Sequence, residues 1–433
     1  MQEVFSDLIK EWHDADLPPF IARDNYDYLH QNYANIFAII WPRRAGKTFF
    51  LYQIIQHLLD SNACKKEDIL FIDFEDYRLS GLKIADIDSM FKAYYALYKK
   101  DPKYLIFDEI QNIPERSRVL RTFHNKRYKI IVTGSSSKLL LTEVSTELRW
   151  RYTHNLMLPF SFGEYLKHKD IDPKRLERTN KEWLVYDAFQ QYMQYGWYPE
   201  VIDANDLQKR KLLNEYYATT YYKDVIDRYN VRDKKLLEGF MSYVLNIYSS
   251  LLSLTKLEKH LKDEWLTGTK STLGRYLSHL KEAFFIIECP KFGYSPKVEM
   301  TQPKKVYMID PGFIKIGNNY SENKWRILEN IVAIELYRRW KQLYYFNDGR
   351  ECDFVIKEPL SLKIEQAIQV TRTLDFHNKE REIQWLLQAM KKCKLSEGYI
   401  FTYDEKKIIE EDGYTIHVVP VWERLLDNEE VVA

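Results

Sequence analysis

The chain has 433 residues, enough for two to four domains at roughly 100 to 200 residues each, and 45% of them are hydrophobic, so several cores can be buried. Its 64 basic and 63 acidic residues nearly cancel, which excludes recruitment of nucleic acid or membrane by a global field and leaves only local patches. The four cysteines, Cys64, Cys289, Cys352 and Cys393, are scattered without a CxxC pair or a histidine at ligand spacing, which excludes a disulfide or zinc framework.

The first residues, MQEVFSDLIKEWHDADLPPF, carry acids early and no long apolar core, so they do not read as a signal peptide. No run approaches the ~20 apolar residues of a membrane span, and a cytoplasmic protein with no membrane partner is expected. Residues 1–35 read as an amphipathic helix, a Pro-Pro break and a polar lead-in that braces the next segment.

That segment, IFAIIWPRRAGKTFFLY at 36–52, organises the chain. An apolar, β-branched strand runs into a loop and then into a helical apolar pattern, the context in which a GKT triplet binds phosphate. Pro42, Arg43, Arg44, Ala45, Gly46, Lys47 and Thr48 form the expected nucleotide loop. Lys47 is placed to reach the β- and γ-phosphates of ATP, and the Thr48 hydroxyl to ligate Mg²⁺. A second apolar strand, YLIFDE at 104–109, ends in two carboxylates. In a P-loop ATPase the first acid, here Asp108, holds Mg²⁺ through water and the second, here Glu109, polarises the attacking water. No base-reading motif separates ATP from GTP. One residue spoils the fit: the first glycine of GxxxxGK[ST] falls on Trp41, where a tight turn leaves little room for an indole.

Strand-like segments at 36–40, 69–74, 104–108, 129–133 and 153–158 alternate with helical ones, the pattern of a parallel sheet covered on both faces. Thr133-Gly134-Ser135-Ser136 ends the fourth strand. Ser135 there is either a sensor of the γ-phosphate or, like Ser136, a helix N-cap.

The blocks IFDEIQNIP, IIVTGSSSKLL, LRWRYTHNLMLPFSFGEYL and YGWYPEV resemble the prokaryotic AAA-type ATPases that carry a C-terminal domain of unknown function related to the restriction-endonuclease fold. The resemblance covers nearly the whole chain. It implies that a Leu-x-Gly-Arg segment supplies an arginine finger, which maps onto 148–151 and makes Arg151 the expected cation for the transferring phosphoryl group, in this chain's own site or in a neighbour's within a homo-oligomer. The alternative for Arg151 is a surface ion pair.

Residues 161–230, rich in Tyr, Leu, Lys and Asp at helical spacing, read as a helical lid or connector. Residues 232–313 read as a winged helix, with helices at 233–248, 253–261 and 270–283 and a hairpin ending at 304–307. Ten Lys/Arg against six Asp/Glu between 253 and 305 make a mild basic excess, and Lys270, Ser271 and Arg275 on the third helix are placed to meet DNA. A winged helix that only packs against protein fits the same residues.

Residues 320–433, with a helix at 328–339, strands at 343–346, 351–356 and 365–371, a helix at 377–392 and strands near 399–402 and 415–419, resemble the restriction-endonuclease fold. Glu329 and Asp353 fit two of its metal-binding carboxylates, but the E-x-K falls on Gln369-Val370-Thr371, so an inactive domain is expected unless a basic residue such as Lys363 fills the gap; Arg372, next to Thr371, should point to the opposite face of the strand and is discounted.

Against the motifs of that family, Trp41, Trp150, Trp197, Trp325, Trp340 and Trp385 all stand where glycine is usual, while Trp422 matches a true tryptophan. With only 14 glycines, well under the usual ~7%, and ten tryptophans, UGA codons read as glycine in the source cell and as tryptophan here account for all six. The rival account is a degenerate nucleotide site in a non-hydrolysing binding module.

The expected fold is therefore α/β: a P-loop parallel-sheet AAA-type ATPase core at 1–165, a helical lid or connector at 166–231, a winged helix at 232–319 and a restriction-endonuclease-like α/β domain at 320–433. The expected function is a nucleotide-driven switch acting on DNA or a protein partner. A nuclease regulated by ATP is the weaker alternative.

Overall fold

The computed structural model describes residues 1–24, 36–40, 42–134, 152–173, 183–293, 295–317, 324–358 and 363–427. The chain divides into two compact units, Met1–Pro159 and Phe160–Ala433.

The first unit is built on a five-stranded sheet of β1 (Ile36–Ile40), β2 (Ile69–Asp73), β3 (Tyr104–Asp108), β4 (Lys129–Gly134) and β5 (Tyr152–Leu156). Its order is β2-β3-β4-β1-β5 and every pairing is parallel. Parallel strands need crossover connections, and α2 (Lys47–Asp60), α3 (Ile87–Tyr98) and α4 (Arg116–Asn125) supply three of them. All five residues of β1 and all five of β3 are buried, which is why both read as unbroken apolar runs. The helix α1 (Gln2–Asp14) buries Phe5 and Ile9, and Trp12 stacks on Phe71 of β2 with ring centroids 5.3 Å apart.

The second unit opens with the helix Phe162–His168, whose start is written in the block PFSFGEYL. Ser161 Oγ accepts from Glu164 N at 3.1 Å and Glu164 Oε2 from Ser161 N at 2.8 Å, a capping box. Helices Trp183–Tyr195 and Asp206–Thr219 follow. The block YGWYPEV lies between them and is pinned by buried Asp310, which accepts from Trp197 N at 2.7 Å and from Gly312 N at 2.8 Å. Gly196 sits at φ +80, and a Cβ there would lie 1.8 Å from Asp310 Oδ1, so only glycine fits.

Helices Lys234–Asn246, Leu254–Asp263 and Lys270–Glu282 lead into a three-stranded antiparallel sheet of β6 (Ser250–Leu252), β7 (Ile286–Cys289) and β8 (Lys304–Met308), ordered β6-β8-β7. The short β6 has no sequence signal of its own. A short helix, Pro296–Thr301, stands between the two strands expected to form a hairpin.

The helix Lys324–Arg338 then precedes a mixed six-stranded sheet of β9 (Gln342–Asn347), β10 (Glu351–Lys357), β11 (Ile364–Val370), β12 (Glu397–Thr402), β13 (Lys407–Glu411) and β14 (Tyr414–Pro420), ordered β13-β14-β12-β11-β10-β9. The helix Lys379–Cys393 joins the parallel neighbours β11 and β12 and buries Ile383, Leu386, Leu387 and Met390. The edge strand β13 and the final helix Val421–Leu426 add to the expected element order.

The tryptophans fall into distinct surroundings. Trp340 has φ +58 just past the helix Lys324–Arg338, and Trp265 has φ +62 and is 94% exposed just past Leu254–Asp263. Both are positions where glycine closes a helix. Trp325 and Trp385 lie within helices, where no special φ is required. Trp197 is buried, stacked on Tyr192 at 4.7 Å. Trp41 and Trp150 lie outside the described residues.

Candidate functional site

The candidate site lies at the carboxyl ends of β1, β3 and β4, where open parallel sheets place ligands. After β1 the loop residues Pro42, Arg43, Arg44, Ala45 and Gly46 lead directly into α2 at Lys47. Arg44 at φ +62 and Gly46 at φ +92 turn the chain into the helix. The first turn of α2 leaves backbone N–H groups without intrahelical partners, an arrangement suited to phosphate.

Thr48 and Asp108 meet: Thr48 Oγ1 donates to Asp108 Oδ2 at 2.6 Å. Lys47 and Glu109 also meet, with Nζ bonded to Glu109 Oε1 and both side chains over 90% buried. Thr133, at the end of β4, donates to Asp108 Oδ1 and accepts from Glu109 N at 3.0 Å. Glu109 adopts a left-handed conformation, φ +51, and its second oxygen accepts from Gln111 Nε2. Burial pushes the Asp108 carboxyl above its ordinary range, opposed by the bonds from Thr133 and Thr48. A hydroxyl and a carboxylate at this separation are a donor set suited to Mg²⁺, which prefers oxygen ligands and usually takes one or two carboxylates. The residues present thus fit a magnesium nucleotide.

All seven expected loop residues and both acids are therefore gathered at one end of the sheet, while Ser135 and Arg151 lie outside the described residues. Two residues of the site were not singled out from the sequence. Asp73 ends β2 beside Asp108 in register, and burial, with Asp108 and Glu109 adding and a bond from Glu75 N opposing, raises its carboxyl to about 6. An acid closing a second apolar strand, ILFID, was its signal. Arg23, in the stretch read only as a polar lead-in, is buried, donates to Ala45 O at 3.0 Å and to Leu158 O, and its backbone N–H bonds Gln53 Oε1 at 2.9 Å. It ties the phosphate loop to the residues just past β5, and nothing in its local sequence shows this.

In the second unit Glu329 and Asp353 do approach one cation, but it is neither Lys363 nor Arg372. Lys305, from β8, occupies that place. Gln369 Nε2 instead bonds Glu382 Oε2 at 2.7 Å, and Thr371 Oγ1 bonds Thr373 O. Among the described residues no group of His, Cys, Asp or Glu is arranged to hold a metal ion, and no helix is long and apolar enough to cross a membrane.

A family model described as an AAA domain matches residues 33–166, and one described as a domain of unknown function, DUF8612, matches 186–322. An uncharacterized protein of Methanocaldococcus jannaschii is 32% identical over 393 residues, covering 88% of this chain and 86% of its own length. An uncharacterized protein of Haemophilus influenzae is 24% identical, covering 88% and 92%. Among solved structures, a Walker-type ATPase of Pyrococcus abyssi aligns over 70% of this chain and 98% of its own, with 14% identity and a TM-score of 0.41. The ORC2 protein of Aeropyrum pernix aligns over 74% and 96%, with 11% identity and a TM-score of 0.37. The chain belongs to the archaeal and bacterial family that joins an AAA-type P-loop ATPase domain to DUF8612.

Proposed function

We propose that the chain is an ATP-hydrolysing switch whose second unit contacts DNA or a protein partner. The observation that carries this reading is the pairing of Lys47 with Glu109 and of Thr48 with Asp108 at one end of the sheet. Residues 42–48 would hold the phosphates, and Thr48 and Asp108 would hold Mg²⁺, which would supply charge neutralisation at the phosphate oxygens. Glu109 orients and polarises water, with Thr133 and Gln111 positioning it. Arg151 supplies the finger, from this chain or from a second copy, and Ser135 senses the γ-phosphate. The reading is tested by Mg²⁺-dependent phosphate release from ATP, which Lys47→Ala should abolish.

The second unit is read as a helical connector, a winged helix and a restriction-endonuclease-like domain without nuclease activity. Helix Lys270–Glu282 exposes Lys270, Ser271 and Arg275 on its first two turns, which supports contact with DNA phosphates. Replacing Lys270 and Arg275 by Ala should weaken duplex binding by fluorescence anisotropy and flatten its salt dependence. Incubation with supercoiled DNA, Mg²⁺ or Mn²⁺ and ATP should give no nicking. Nicking lost in Asp353→Ala would contradict the inactive reading.

A further inference from the structure

A cluster of cations in the second unit is used neither by the nucleotide chemistry nor by the helix proposed to meet DNA. Tyr195 closes the helix Trp183–Tyr195, Lys209 and Arg210 stand in the first two turns of the helix Asp206–Thr219, and Lys315 stands in the 3-10 turn Pro311–Ile316. The Lys209 and Lys315 ammoniums both lie over the Tyr195 ring, 4.2 and 4.1 Å from its centroid. The two nitrogens are thus at most about 8 Å apart, and a ring face attracts a cation without neutralising it. The segments that carry them are fastened together. Asp310 accepts from Trp197 N and from Gly312 N, so one buried carboxyl joins the loop after Tyr195 to the turn of Lys315. A Cβ on Gly312 would come within 2.7 Å of Tyr195 O, so glycine is what lets the two segments touch.

Lys209 is only 8% exposed, yet among the described residues no oxygen accepts from its ammonium. Buried charges are ordinarily paired. The acids nearby do not fill that role: Asp203 is taken by His168 at 2.7 Å and by Lys169 at 3.2 Å, and Asp206, on the same turn as Lys209, makes no ion pair with it. Burial lowers the Lys209 ammonium below its ordinary range, opposed by Asp206 and Asp203. Burial also pushes Lys315 down to about 8, with Arg210 and Lys209 adding and Asp206 opposing. With Lys169 matched to Asp203, the three cations Lys209, Arg210 and Lys315 face the single acid Asp206, a surplus of two positive charges among the described residues. A phosphomonoester carries about −1.5 to −2 near pH 7 and offers three acceptor oxygens. A DNA phosphodiester carries one charge, and a duplex backbone meets exposed cations rather than a lysine placed this deeply.

We propose that Lys209, Arg210 and Lys315, set around the Tyr195 ring, form a binding site for a phosphomonoester dianion. Inorganic phosphate and a small organic phosphate present that same dianion. Bound there, it gives the Lys209 ammonium the acceptor that the chain does not supply and relieves the repulsion among the three cations. The inference stands independently of ATP hydrolysis and of DNA binding.

The test uses the full chain with Lys47→Ala, which removes phosphate held by the nucleotide loop, and adds Lys209→Met or Lys315→Met, which keep an apolar stem without the charge. Equilibrium dialysis with radiolabelled inorganic phosphate at fixed ionic strength should show one saturable equivalent in Lys47→Ala. Each Met substitution should weaken it about tenfold or more, the loss of one charge-assisted bond. Glycerol 3-phosphate that competes more tightly than phosphate assigns the site to an organic phosphate, and its exclusion assigns the site to inorganic phosphate. Absence of saturable binding, binding indifferent to both Met substitutions, or competition by duplex DNA or an acidic peptide at lower concentration than by either phosphate overturns the proposal. Labelling of the unmutated chain covers the case in which a Met variant does not fold. Acetylation by acetic anhydride, read by mass spectrometry, should slow severalfold at Lys315 when phosphate is added and stay unchanged at exposed Lys211. Equal rates at Lys315 with and without phosphate overturn the proposal as well.

Discussion

Replacing Glu109 by Gln should separate binding from turnover. In the structure the Glu109 carboxylate holds Lys47, and both side chains are over 90% buried, so a γ-phosphate that takes Lys47 must first break a charge-assisted bond. Such bonds contribute about 1.5 to 3 kcal/mol. Gln is nearly isosteric, keeps an oxygen for Gln111 and carries no charge, so it lowers that competition. At the lower end of the range ATP should bind about tenfold more tightly. Turnover should move the other way. Positioned general bases contribute about 10²- to 10⁴-fold, equivalent to roughly 2.7 to 5.4 kcal/mol of barrier. The assay pairs a fluorescent-ATP titration with single-turnover hydrolysis in Mg²⁺, on protein with Trp at 41 and on Trp41→Gly. Hydrolysis at the wild-type rate in Glu109→Gln would refute the role of Glu109 in turnover, and weaker ATP binding would refute its competition for Lys47.

Three further outcomes are expected. Codons 41, 150, 197, 325, 340 and 385 should be UGA and codon 422 UGG; UGG at 41 and 150 would end the recoding account, and the left-handed Trp265 adds codon 265 to those worth reading. Gly196→Ala places a Cβ against Asp310 Oδ1 at φ +80, so chemical denaturation should show a loss of about 3 kcal/mol or more from overpacking and backbone strain together. Asp310 is fully buried and its carboxyl is pushed from 3.8 up to about 7 by desolvation, opposed by bonds from Trp197 and Gly312. Between those values the folded state binds the extra proton, so this stabilising contribution is complete below about 3.8 and is lost as pH rises through about 7. Urea denaturation at pH 5 to 8 should therefore show the Asp310 contribution to stability falling by up to about 1.4 kcal/mol per pH unit and levelling above 7. Asp310→Asn should reduce that slope, and Glu329, also raised to about 7, should keep part of it.

Much of the first unit was legible in the residues. Strands expected at 36–40 and 104–108 are those observed, and the other three differ by one or two residues at their ends. A central parallel strand is buried on both faces and so announces itself as an apolar run, and GKT and DE mark the points where two such runs stop. The helices expected at 253–261 and 270–283 begin within a residue of the observed starts for a similar reason: their caps, Ser253 and Thr269, are side chains acting on backbone three residues away. Strands of three residues, such as β6, and edge strands such as β13, whose pattern is largely polar, carry too little periodicity to be seen.

What this sequence determined by itself was therefore local chemistry: a phosphate loop between a strand and a helix, two acids closing a second strand, and a lysine missing from its expected place at Thr371. Only the tertiary structure decided which distant groups complete these sites. Arg23 reaches Ala45 and Leu158 across 22 and 135 positions, Asp73 lies beside Asp108 because β2 pairs with β3, and Lys305 meets Asp353 from 48 positions away. The physical reason is that burial and ion pairing depend on separation in space, which strand order and helix packing set. A charged side chain's own neighbours along the chain do not reveal whether it will meet water or an opposite charge.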